Sequence, residues 1–209
     1  LISPQRFQQL IAAMQQRGGL VSTKRNPDGS DAPYELNISY VSALSEPADT
    51  NIQRHADRFL SSQALMLALR GIPGIYFHSL VGTPNDVAAA RDSGIPRRIN
   101  RRKYQLKELH SLLQTDAHPQ QQIYQGYRRL LELRIAQPAF HPNASQQVVA
   151  THNPALISFA RVNSDEAQRI LVIANVSGAP QSVEVPATMG LPRRDLLDRA
   201  ELSGRAVRI

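Results

Sequence analysis

Apolar residues recur at helical spacing in the first segment, where Phe7, Leu10, Ile11 and Met14 follow Ser3-Pro4 and precede Gly18-Gly19. Serine can cap the first turn, proline has no N–H to lose there, and the glycine pair stops the helix, so an amphipathic helix is predicted from Ser3 to Arg17. Residues 18–34 hold Lys24, Arg25, Asn26-Pro27-Asp28-Gly29 and Ser30-Asp31, turn formers that cannot continue a helix. A long exposed loop or hairpin is expected there. Phe59, Leu60, Ala64, Leu65, Leu67 and Ala68 line one broad face of a second helix, from about Asn51 to Arg70, which Gly71 ends. The apolar run from Ile72 to His78, opened by Gly and Pro, is predicted as a strand buried on both faces, as in a parallel sheet. Residues 79–104 read as irregular and polar. Loops of that length inside a compact domain are usually functional or disordered.

Two further helical patterns follow, one on Leu106, Leu109, Leu112 and Leu113, the other on Ile123, Tyr124, Tyr127, Leu130, Leu131 and Leu133 up to about Gln137. After Pro138 the period changes to two, with candidate strands at 147–151, 156–162, 169–175 and 182–185. The expected organisation is α/β followed by all-β: residues 1–138 as one part, residues 139–209 as a small antiparallel domain. A lone parallel-type strand cannot satisfy its own backbone groups, so the first part looks incomplete. A barrel of eight strand–helix units needs about 250 residues.

Composition narrows the class. The 209 residues include 24 Lys plus Arg against 17 Asp plus Glu, no Cys, no Trp and 42% hydrophobic residues, enough to bury a core. A disulfide scaffold and a Cys-ligated zinc or iron–sulfur centre are excluded, and a reducing cytoplasm is the expected setting. No run approaches the roughly 20 apolar residues of a membrane helix. Leu1 to Pro4 has neither an initiator Met nor a signal-peptide layout, which suggests a longer gene product. The Asn-x-Ser triplets at Asn37, Asn143 and Asn175 are taken as chance occurrences.

Common catalytic signatures are missing: there is no Walker loop, dinucleotide fingerprint, His-Glu-x-x-His or Gly-x-Ser-x-Gly. The six His residues are scattered and none pairs at metal-ligand spacing, so no metal site is expected. The densest charge is Arg97-Arg98-Ile99-Asn100-Arg101-Arg102-Lys103, five cations in seven residues. Three readings are open: a solvated loop, a nucleic-acid patch, or an anion or sugar-hydroxyl site that uses the planar guanidinium fork. Absence of interleaved aromatics weakens the nucleic-acid reading.

Several short motifs, in order and in register, resemble the sucrose phosphorylase and glucosylglycerate phosphorylase group of the alpha-amylase superfamily. They are Pro33-Tyr34-Glu35-Leu36-Asn37-Ile38-Ser39-Tyr40, Ser42-Ala43-Leu44, Arg70-Gly71-Ile72-Pro73-Gly74-Ile75-Tyr76, Leu80-Val81-Gly82-Thr83-x-Asn85-Asp86 and Arg97-x-Ile99-Asn100-Arg101. The resemblance implies the last part of a (β/α)8 barrel plus a small antiparallel C-terminal domain. Ile72 to Phe77 would be the eighth barrel strand, and 78–104 would lie at its C-terminal end, where barrel enzymes build their sites. Arg97 matches the family arginine that hydrogen-bonds the glucosyl unit. Tyr34 and Glu35 match the mobile loop on the acceptor side, where the position of Glu35 is typically Gln, a departure that puts sucrose in doubt. Lys24 and Arg25 would favour an acidic acceptor such as glycerate, against the opposing charge of Glu35. Asn85 and Asp86 look like loop-shaping residues.

The family reaction is a retaining double displacement, with an Asp nucleophile, a Glu acid and inorganic phosphate as co-substrate; no other cofactor is implied. The catalytic carboxylates are expected upstream, on a missing N-terminal barrel half, leaving none in this chain and the isolated chain inactive. The closing run 202–209 resembles the approach to a last strand, with a sheet edge left unpaired. A non-enzymatic basic module for anionic polymers is the alternative.

Overall fold

The computed structural model describes residues 2–46, 48–185, 193–198, 201–202 and 206–208. It divides into two compact units, Leu1–Leu60 with Ile75–Tyr127, and Ser61–Gly74 with Arg128–Ile209. The division falls within two long helices. Helices come first and antiparallel strands follow, the order that the change of hydrophobic period predicts.

The first unit begins with helix α1 (Pro4–Gln16), capped as expected by Ser3, whose Oγ accepts from the Arg6 N–H at 3.3 Å. Residues 18–34 resolve as a hairpin, with β1 (Leu20–Arg25) antiparallel to β2 (Asp31–Asn37) around the Asn26–Ser30 turn. A one-turn helix α2 (Tyr40–Ala43) leads to α3 (Ile52–Ala68). Then come α4 (Phe77–Leu80), α5 (Val87–Ser93), a 3-10 turn (Pro96–Asn100), α6 (Leu106–Gln114) and α7 (Pro119–Ala136). Ile11, Met14, Val41, Ala56, Phe59, Val81, Ile99, Ile123 and Tyr127 are buried in this unit.

Two expectations fail here. The predicted buried strand at 72–77 is not a strand: Ile72 is 87% exposed and Tyr76 52%, and Phe77 already opens α4. A parallel strand is held by ladders on both sides, and no described strand pairs with this run, so its backbone stays irregular. The stretch 79–104 is likewise not irregular throughout, since it contains α5 and the 3-10 turn. α5 is too short to show a hydrophobic period, but its caps are ordinary: Asp86 accepts from the Ala89 N–H at 3.1 Å, and Gly94 closes it with φ of +64°.

In the second unit a 3-10 turn (Pro138–Phe140) precedes β3 (Ser145–Val148), β4 (Leu156–Val162) and β5 (Arg169–Asn175), which form an antiparallel sheet in that order. β6 (Ser182–Glu184) pairs with β9 (Ala206–Arg208), and β7 (Arg193–Arg194) with β8 (Glu201–Leu202). The run expected only to lead toward a last strand, leaving an edge unpaired, instead contains a strand of its own at 206–208 that pairs with β6; 203–205 and 209 lie outside the described residues.

A wholly buried arginine organises this unit. Arg161 donates from Nη1 to the Ala68 carbonyl at 2.6 Å, from Nη2 to His141 at 2.8 Å and from Nε to Ser145 at 3.1 Å, with its guanidinium 5.9 Å from the Phe140 ring centroid. Arg134 donates to the Leu67 and Gly71 carbonyls. Two cations thus satisfy the orphan carbonyls at the C-terminal end of α3, where the helix dipole favours positive charge. Burial, then the charges of Arg134 and Arg70, hold the Arg161 guanidinium below its ordinary value.

Candidate functional site

Hairpin β1–β2 owes its shape to one extra residue. Ser22 pairs with Glu35 and Thr23 with Pro33, so Tyr34 is the surplus residue of a bulge. Bulges re-aim a side chain and increase local twist. Tyr34 is 62% exposed, and the Lys24 ammonium lies 5.7 Å from its ring centroid.

Arg97 reaches the same place from the 3-10 turn. That turn is anchored by Ile99, whose side chain is fully buried and whose carbonyl accepts from the Asp86 N–H at 2.7 Å. The Tyr76 hydroxyl donates to the Asn100 carbonyl at 3.3 Å, and Asn100 Nδ2 to the Ile38 carbonyl at 3.5 Å. The rigid support leaves Arg97 projecting, its side chain half exposed, with Nε donating to Glu35 Oε2 at 2.8 Å. This hydrogen bond, together with the Glu35 charge, holds the guanidinium above its usual value. Arg97, Tyr34 and Glu35, 62 residues apart at the extremes of the ion pair, are brought together.

The arrangement suits hydroxyl or anion binding. Only Nε of Arg97 is engaged among the described residues, which leaves both terminal nitrogens for a ligand. Glu35 screens the charge, so an anionic ligand competes with it while a neutral hydroxyl does not. Of the remaining basic cluster, Arg102 pairs with Glu108 and stacks 4.9 Å from the Tyr104 ring. Arg25 pairs loosely with Asp31 at 3.9 Å at the turn end of the hairpin, farther along the ladder from the Ser22–Glu35 pair.

Asn85 and Asp86 shape the loop, as expected. Asn85 Oδ1 accepts from the Ser39 N–H at 2.8 Å, its Nδ2 donates to the Arg17 carbonyl at 3.1 Å, and its own N–H donates to Ser42 Oγ at 3.0 Å. One side chain so ties the end of α1 to the segment that leaves the hairpin. Among the described residues no three His, Asp or Glu side chains converge as a metal site, and no helix is long and apolar enough to cross a membrane.

Sequence reasoning did not find a second polar assembly, around His78. Gln120 donates from Nε2 to the Val81 carbonyl at 2.8 Å and to the Tyr104 hydroxyl at 3.0 Å; Tyr104 donates to Thr83 Oγ1 at 3.1 Å, which lies 3.0 Å from His78 Nδ1. Burial holds the His78 imidazole below its ordinary value. Nothing in a polar run such as Gln120-Gln121-Gln122 marks the first glutamine as the buried one.

No family model matches the chain. Glucosylglycerate phosphorylase of Escherichia coli (strain K12) is 35% identical over 199 residues, 95% of this chain and 34% of that protein. Glucosylglycerate phosphorylase of Allomeiothermus silvanus is 38% identical over 184 residues, 88% of this chain and 32% of that protein. Sucrose phosphorylase of Agrobacterium vitis is 26% identical over 82% of this chain. In fold, the chain matches the crystal structure of sucrose 6F-phosphate phosphorylase from Thermoanaerobacter thermosaccharolyticum with a TM-score of 0.67 at 24% identity, over 84% of this chain and 32% of that one. The chain spans about a third of the length of the curated relatives it matches.

Proposed function

Since the homologues of this chain are glucosylglycerate and sucrose phosphorylases, we propose that it is a portion of an alpha-glucoside phosphorylase and supplies sugar-binding side chains to it. In this reading residues 1–138 contribute the end of the catalytic barrel and 139–209 the small C-terminal domain. Arg97 directs its terminal N–H groups at glucosyl hydroxyls, and Tyr34 with Glu35 borders the acceptor. The observation that carries the reading is the convergence of these three residues, from a bulged strand and a buried-anchor turn, on one exposed patch.

The reaction is a retaining transfer of glucose to inorganic phosphate, giving alpha-glucose 1-phosphate without another cofactor. It needs two carboxyl groups about 5 Å apart, one a nucleophile and one an acid. Those groups belong to a barrel portion outside this chain, which is its partner, and the chain by itself is inactive. Higher identity to the glucosylglycerate enzymes, 35% and 38% against 26%, supports glucosylglycerate over sucrose, while Glu35 at the family's usual Gln position counts against sucrose without itself favouring an acidic acceptor.

The test is to incubate the 209-residue chain with glucosylglycerate or sucrose and phosphate, alone and with the preceding portion of a homologous phosphorylase. Glucose 1-phosphate is expected only from the mixture. Release by the isolated chain would overturn the assignment of the carboxylates elsewhere, and an inactive mixture whose two parts bind each other would overturn the enzymatic reading.

A further inference from the structure

We propose that the open edge of β5 is a docking site for an extended peptide of another polypeptide, one that is apolar at alternate positions and acidic at its ends. A cavity of about 630 Å³ lies against this strand and is lined only by residues of the second unit. All seven residues of β5, Arg169 to Asn175, border it. Successive side chains of a strand point to opposite faces, so a space that touches every residue in turn lies along the edge and not over one face. Exposure agrees: β4 is buried at every residue except Ile157, whereas Ile170 to Asn175 are all half-buried, without alternation. β5 is the last strand of its sheet and pairs only with β4 among the described residues.

The ladder identifies the free groups. Just beyond the strand, the Val176 N–H donates to the Ala155 carbonyl at 2.8 Å, and the bonded pairs of an antiparallel ladder recur at every second residue. Ile170, Val172 and Ala174 therefore turn their N–H and C=O groups to β4, and Leu171 and Ile173 turn theirs to the open edge. Polar side chains around the cavity are engaged elsewhere: Gln168 Nε2 donates to Gln137 at 2.7 Å, and Asp195 Oδ1 accepts from the Leu197 N–H at 2.7 Å. A row of alternating main-chain donors and acceptors is matched by a second extended main chain, which adds to the sheet as a further strand.

The walls set the sequence of the occupant. Leu65 of α3, Leu130 and Leu133 of α7, Phe140 and Leu197 border the cavity, which suits a peptide with β-branched apolar residues on one face. The charged residues around it are Arg134, Arg169 and Arg194 against Asp195 alone, so acidic residues are favoured over basic ones. A second copy of this chain would bring its own edge set back in the same cavity, so the occupant is a single strand. Since the lining set includes neither Arg97, Tyr34 nor Glu35, this site does not depend on the proposed phosphorylase reading.

The experiment titrates the 209-residue chain into the fluorescent peptide Glu-Val-Thr-Val-Thr-Val-Glu, read by anisotropy, with amide hydrogen exchange on the complex. Saturable binding with a midpoint on the order of 10–100 μM is expected, and Lys in place of both Glu should weaken it on the order of tenfold. Two further peptides carry N-methyl groups, one on the Val nitrogens and one on the Thr nitrogens. Only one of these sets faces β5, so one peptide should lose on the order of tenfold or more and the other little. The Leu171 and Ile173 amides should gain protection in the complex, while Val172 is already protected in the free chain. Leu171→Pro removes an outward N–H where an edge strand tolerates proline, and should abolish binding with the circular dichroism unchanged. Lack of saturation, equal loss from both N-methyl patterns, tighter binding of the Lys peptide, or protection of Leu171 and Ile173 that grows with chain concentration in the absence of peptide would each overturn the proposal. So would full binding by a folded Leu171→Pro protein; the other four are read on the unaltered chain and do not hang on how the variant folds.

Discussion

Replacement of Arg161 by Met removes a charge but keeps a long apolar stem, so its effect isolates the hydrogen bonds. Three of them, to Ala68, His141 and Ser145, lie between 2.6 and 3.1 Å. Bonds from a charged donor contribute about 1.5–3 kcal/mol each, or about 4.5–9 kcal/mol for three. Burying the guanidinium offsets several kcal/mol of that. No carboxylate partner is left stranded by the change, yet the Ala68 carbonyl at the end of α3 loses its donor in a buried place. A net loss of about 3–5 kcal/mol follows, comparable to breaking a buried ion pair and a large part of the 5–15 kcal/mol typical of a whole domain. Urea denaturation followed by circular dichroism measures it, as a fall in midpoint at constant slope. Arg161→Lys should fall between, because one ammonium cannot span acceptors on three sides. A loss under about 1 kcal/mol for Arg161→Met, or a Lys variant as stable as the parent, would refute the account.

Three other outcomes are expected. Glu35→Gln should lower stability by less than about 1 kcal/mol, with the difference shrinking in concentrated salt, because the Glu35–Arg97 pair is half solvated; a double-mutant cycle with Arg97→Ala measures the coupling. His78 has its pKa depressed by burial, so the unfolded chain takes up a proton near pH 6.5 that the folded chain resists. Its contribution is complete above that pH and is lost as pH falls toward the folded value, with a slope of at most about 1.4 kcal/mol per pH unit that His78→Phe should abolish. Gly82 has φ of +59°, and a Cβ there would sit 2.9–3.0 Å from buried Ile123, so Gly82→Ala should cost about 2–4 kcal/mol of melting stability. Gly94→Ala, with φ of +64° but nothing within 4 Å, should cost only the backbone strain of about 1–2 kcal/mol.

Legibility in the sequence followed the reach of the interactions. α1, α3 and α7 were readable because each carries an apolar stripe over three or more turns with a cap or breaker at its end, and β4 and β5 because their apolar residues run together between turn formers. The strand expected at 72–77 does not form, for the opposite reason: its composition suits a buried strand, but strand formation is decided by neighbours far away in the sequence. Arg97, Tyr34 and Glu35 were named through family motifs; the bulge that turns Tyr34 outward depends on cross-strand register, which no local pattern records. Arg161 and Gln120 were invisible as core residues because polar side chains are ordinarily read as solvated, and only the carbonyls they serve explain their burial.

Strand β1 has six residues and β2 seven, the difference being Tyr34. Excising that one residue would even out the two strands and let the ladder run without interruption from Leu20–Asn37 to Arg25–Asp31. The hairpin can therefore lose its protruding tyrosine by a single-codon deletion, or gain one by a single-codon insertion, while Glu35 keeps its place opposite Ser22. Length polymorphism at this spot, rather than substitution, is the shortest evolutionary route to a flatter rim beside Arg97.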